Sequence, residues 1–107
     1  MTNINFKLTD ITTKENEIEL SADGLELVLS FIYNNFDGYL YMKIMNSERE
    51  VLLSYTRVLP SIDYFVLNKT KMDFDKQLIF VKTNDSAREA DLITADNINK
   101  DYKLFLI

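Results

Sequence analysis

Apolar and polar side chains alternate in steps of two along most of this 107-residue chain. That is the period of a strand with one buried face. No 3.6-residue period is sustained anywhere, so no long helix is expected. Ile4, Phe6 and Leu8 alternate with Asn5 and Lys7 and predict a first strand. Ile18 and Leu20 alternate with Glu17 and Glu19 in a second, which shows one wet face. "SADG" follows, a turn in which Gly24 can take a positive φ. Residues 25–34 predict a third strand and 39–45 a fourth. After the polar turn "NSERE" comes a long fifth, "VLLSYTRVL", halted by Pro60, which cannot donate to a ladder. "QLIFVKT" and "YKLFLI" predict the sixth and seventh.

Two stretches break the alternation. Residues 61–76 hold Tyr64, Phe65, Leu67 and Phe74 among polar residues and read as a long loop pinned by aromatics. "NDSAREADLITADNINKD" is the second excursion, with a helical turn expected over 86–92, where Ser86 and Glu89 have capping-box spacing. Loops of this length in a small domain are often functional. The expectation is one all-β domain over residues 1–107: a single small antiparallel barrel or sandwich of about seven strands with two long loops.

The hairpin "FIYNNFDGYLYMKI" raises a problem. "NNFDGY" suits a three-residue loop, with a type I turn at Phe36-Asp37 and Gly38 left-handed in a bulge. Asn35 then faces Tyr39, and opposed residues share a face. One face collects Leu27, Leu29, Phe31, Tyr33, Tyr39, Tyr41 and Met45; the other collects Val28, Ile32, Leu40, Met42 and Ile44, with Ser30 its only polar member. Both faces come out apolar. Three readings are open: the chain's own loops cover the second face, a partner covers it, or the register differs. Tyrosines can bury a ring while the hydroxyl stays wet, which marks Phe31, Tyr33, Tyr39, Tyr41 and Met45 as a candidate protein interface.

Composition narrows the chemistry. The net charge is -5 and no basic cluster stands out, so nucleic acid is not an expected partner. The absence of cysteine removes disulfides, thiolate metal sites and thiol nucleophiles, and fits folding in a cytoplasm. The absence of histidine removes Ser-His-Asp triads and imidazole ligands. Two glycines cannot supply a phosphate-binding loop. The start "MTNINFKLTD" lacks a basic segment followed by an apolar run, and no stretch is long and apolar enough to predict a membrane helix. Asp73 and Asp75 in "MDFDK" form the nearest thing to a carboxylate pair, though loop charges of this kind are usually solvated. "DNINKD" fails as a calcium loop, because Ile98 and Lys100 sit where oxygen ligands belong. No catalytic residue, cofactor site or metal site is expected. Tyr39, Tyr41 and Tyr55 would be the platform of a stand-alone carbohydrate-binding β-module, the alternative function.

"YNNFDGYLYMKI" resembles the most recognisable stretch of the small baseplate plug family of contractile-tailed bacteriophages. In that family a strand ending in Tyr-Asn leads through a Gly turn into an aromatic-rich strand. Tyr33, Asn34, Gly38, Tyr39, Tyr41, Met42 and Ile44 occupy matching places. The later order, through "RVLPSIDYF" and "QLIFVKT" to "YKLFLI", is also similar. The chain departs at Leu40, where the family commonly carries Trp, at Lys43, where it carries Asp, and in "NSERE", which lacks the usual glycine. The resemblance implies a non-enzymatic virion protein of the tail baseplate, present in host cytoplasm during assembly. It would contact hub, spike or tail tube, with oligomerisation around the tail axis in view and neither nucleic acid nor membrane as partner.

Overall fold

The computed structural model describes residues 1–83 and 93–107. The helical turn expected over 86–92, with Ser86 and Glu89, lies outside the described residues. Among the described residues the strands are β1 (Thr2–Ile4), β2 (Asn16–Ala22), β3 (Leu25–Tyr33), β4 (Leu40–Asn46), β5 (Val51–Arg57), β6 (Leu78–Lys82) and β7 (Tyr102–Leu106). They form two antiparallel sheets, as the period-two pattern predicts, and neither closes on itself into a barrel. The chain divides into two compact units: Met1–Lys7 with Leu59–Ile107, and Leu8–Val58.

The unit Leu8–Val58 is a four-stranded meander in the order β2-β3-β4-β5. Ala22 pairs with Leu25, leaving a two-residue turn in which Asp23 and Gly24 both take positive φ, at 51° and 83°. That is the primed geometry whose twist matches the flanking strands, and Asp-Gly is its usual sequence. Leu20, Leu27, Leu29, Phe31, Leu40, Met42 and Ile44 are each at most 4% exposed. They alternate along their strands, and Leu20 faces Leu27, Leu29 faces Ile44 and Phe31 faces Met42. Each such side chain contributes about 1.5–3 kcal/mol on burial, so this face is the unit's core.

The β3–β4 register corrects the sequence expectation by one residue. Tyr33 pairs with Leu40 and Ile32 with Tyr41, and Asn34 rather than Asn35 faces Tyr39. The turn therefore takes four residues, not three. The cause is Asn34: its Oδ1 accepts from Phe36 N at 2.8 Å and its carbonyl accepts from Gly38 N at 2.8 Å, closing a wider loop. Gly38 does take the left-handed conformation, at φ +77°. A one-residue slip moves every side chain of a strand to the other face. Corrected, one face is the apolar core and the other is mixed, which dissolves the two apolar faces.

In the other unit the order is β1-β7-β6, with Leu78, Phe80, Tyr102, Leu104 and Leu106 buried. The first strand stops at Ile4 instead of running to Leu8, and beyond it the Phe6 carbonyl accepts from the Asn99 side chain. Within 61–76 the aromatics do pin the loop, and they do so through a 3-10 helix, Tyr64–Asn68. Tyr64 and Phe65 are buried, Tyr64 meets Phe80 edge-on at 6.1 Å, and Phe65 meets Phe74 at 4.9 Å. The Tyr64 hydroxyl accepts from Leu59 N at 2.7 Å. Asp63 Oδ1 accepts from both Phe65 N, at 3.0 Å, and Leu78 N, at 3.1 Å. One carboxylate thus caps the helix and ties it to β6.

Candidate functional site

Across the four-stranded sheet, the face opposite the core carries Val28, Ser30 and Ile32 on β3 with Tyr41, Lys43 and Met45 on β4. Strand alternation puts them there, and β5 adds Tyr55 and Arg57, two residues apart on one strand. The Arg57 guanidinium carbon lies 3.4 Å above the centre of the Tyr39 ring, and Lys43 Nζ lies 4.9 Å above that of Tyr55. Such contacts are worth about 0.5–1 kcal/mol at exposed sites. At the β2 side the Arg49 guanidinium holds Glu17 by two contacts, at 2.6 and 3.3 Å.

Two hydrogen-bond chains organise this face. The Tyr55 hydroxyl donates to Glu15 Oε2 at 2.9 Å and lies 2.8 Å from Ser30 Oγ. With the phenol proton committed to Glu15, Ser30 is the donor of the second bond, so its fully buried hydroxyl is satisfied. Burial pushes the Tyr55 phenol above its usual range. In the second chain the Tyr41 hydroxyl donates to Asp37 Oδ2, and Asp37 Oδ1 accepts from Tyr39 N at 2.9 Å. The Tyr41 hydrogen bond, aided by Tyr39 N–H and the Arg57 charge, holds the Asp37 carboxyl below the ordinary carboxylate range. The same bond raises the Tyr41 phenol.

Of the five residues expected to form an interface, the structure brings two together on the mixed face, leaves one half-exposed with the opposite parity, and withdraws two. Tyr39 and Tyr41 are half-exposed on the mixed face. Tyr33 is half-exposed but pairs with Leu40, so it has the parity of the core face. Phe31 is fully buried in the core, and Met45 is 5% exposed. Tyr55 joins Tyr39 and Tyr41 on the mixed face, as a sugar platform would require. One face of the Tyr39 ring and one of the Tyr55 ring are, however, already occupied by cations. Asp73 and Asp75 are exposed, and among the described residues no group of three or more acidic, histidine or cysteine side chains could hold a metal. In "DNINKD" the Asn97 carbonyl accepts from Lys100 N at 3.1 Å and Asp101 N at 3.0 Å, an ordinary turn.

Sequence reasoning missed the cations on the rings and the Ser30–Tyr55–Glu15 chain. Their signal was there in part. Tyr55 and Arg57 share strand parity, and Ser30 stood out as a lone polar residue on its face.

A half-exposed sheet face of tyrosines stacked with cations has the composition of a protein contact surface. Compared with protein families, the chain matches the one described as "Cyanophage baseplate Pam3 plug gp18" over residues 1–107. It belongs to that family, and its role is a structural one in a phage tail baseplate. No curated protein and no solved structure matches it.

Proposed function

We propose that this protein connects or plugs the central hub or spike and the tail tube, with the mixed face of the four-stranded sheet as a contact surface. The observation that carries the reading is the whole-chain family match, joined to a half-exposed Tyr39–Arg57 stack beside Tyr41. Tyrosine and arginine dominate the energetics of protein interfaces, because they bury large rigid area while keeping polar tips satisfied. Nothing in that role calls for turnover. Assembly in host cytoplasm and an arrangement around the tail axis follow from the same reading.

Co-expression with the neighbouring hub, spike and tube proteins tests it, read by size exclusion with light scattering. A stoichiometric complex is expected, weakened at least about tenfold by Tyr39→Ala while the variant's own melting temperature stays within a few degrees. A monomer that ignores every neighbour would sink the proposal.

A further inference from the structure

Phe36 sits at the apex of the β3–β4 hairpin and is fully exposed, at 102% of its reference area. Phe31, Phe65 and Phe80 are each at most 1% exposed, and Phe6, Phe74 and Phe105 are half-buried. A single exposed apolar residue ordinarily needs no explanation. Phe36 differs because the chain spends so much hydrogen bonding on holding it out. Asn34 Oδ1 accepts from Phe36 N itself, the Asn34 carbonyl accepts from Gly38 N, and Asp37 takes both Tyr39 N and the Tyr41 hydroxyl. The ring is thus presented on a turn fixed before any partner arrives, which lowers the entropic cost of docking.

We infer that this tip is an anchor that inserts Phe36 into an apolar socket with a cationic rim on a neighbouring baseplate protein; the inference rests on the connecting role proposed above. The charge at the tip argues for a positive rim around that socket. Asp37 is exposed and its carboxyl is held ionised, chiefly by the Tyr41 hydrogen bond, while Asn34 and Asn35 are neutral. The tip therefore presents an apolar ring with one negative charge beside it, which a cationic rim on the partner would match. It is also continuous with Tyr39 and Tyr41, so one partner can cover both. A membrane is the poorer occupant, since the chain carries a net charge of -5 and would be repelled by anionic lipid.

The test uses the full chain and the hub, spike and tube proteins, with affinities measured for wild type, Phe36→Ser and Phe36→Leu. Phe36→Ser is expected to weaken the complex about 10–100-fold, with Phe36→Leu in between and all three proteins melting alike. Raising salt from 50 to 500 mM should leave the fold-change intact, because screening removes only charge-dependent attraction. A complex that Phe36→Ser leaves at wild-type affinity overturns the anchor while the connecting role stands. Absence of any wild-type complex overturns both. Phe36-dependent self-association, or Phe36-dependent binding to phosphatidylcholine vesicles, would assign the tip to another occupant and equally overturn the socket.

Discussion

Ser30 is a buried hydroxyl in a strand otherwise dominated by apolar residues, and its position makes sense only through Tyr55 and Glu15. Removing one partner of a buried pair strands the other. Tyr55→Phe should cost about 1–3 kcal/mol because the Ser30 hydroxyl loses its acceptor, and Ser30→Ala nearer 1 kcal/mol. The double variant should cost less than the sum, and urea unfolding of all four proteins gives the coupling directly. Strict additivity would show that the 2.8 Å contact contributes nothing.

Asp37 and Tyr41 make the second residue-scale case, and its sign follows from the two shifts. Asp37 titrates below its ordinary value of 3.8, so its contribution is present above that pH and lost as pH falls through the lower folded value. Tyr41 titrates above its ordinary 10.0, so its contribution is present below that pH and lost as pH rises through the raised value. Tyr41→Phe should return the Asp37 carboxyl upward toward its ordinary value in an NMR titration. The stability difference between wild type and variant should vanish at both pH extremes. An unchanged Asp37 titration in the variant would contradict this account.

At the scale of elements, Asp63 does for the long loop what alternation does for the strands. Its carboxylate is shared between the first turn of a 3-10 helix and the start of β6. Asp63→Ala should therefore destabilise the protein by about 1–2 kcal/mol in chemical unfolding, whereas Asp73→Ala, on an exposed loop position, should change it by less than about 0.5. Equal effects would remove the clamp from the account.

Element existence was legible in the sequence because it rests on alternation, which each strand carries in its own residues. Register was not. It depends on how many residues a turn consumes, and that was decided by one Asn34 side chain hydrogen-bonding two residues ahead. The same slip explains the interface expectation. Tyr39 and Tyr41 kept a surface position, while Phe31 went to the core with Met42 and Ile44. Asp63 was equally illegible, since an aspartate in a loop carries no mark of the two amides it will meet. Stacking of Arg57 on Tyr39 required knowing the pairing of β4 with β5, a contact between residues distant along the chain.

For the whole molecule, the chain folds as two antiparallel sheets in two compact units and belongs to a baseplate plug family along its entire length. The hairpin "YNNFDGYLYMKI" is the element that presents Phe36, Tyr39 and Tyr41. The most direct measurement is a cryo-electron microscopy map of the intact phage baseplate. The account predicts density for this chain at the tail axis, with the Tyr39–Tyr41 face and the Phe36 tip against another baseplate protein. A map in which the chain is absent, or in which that hairpin faces solvent, would contradict it.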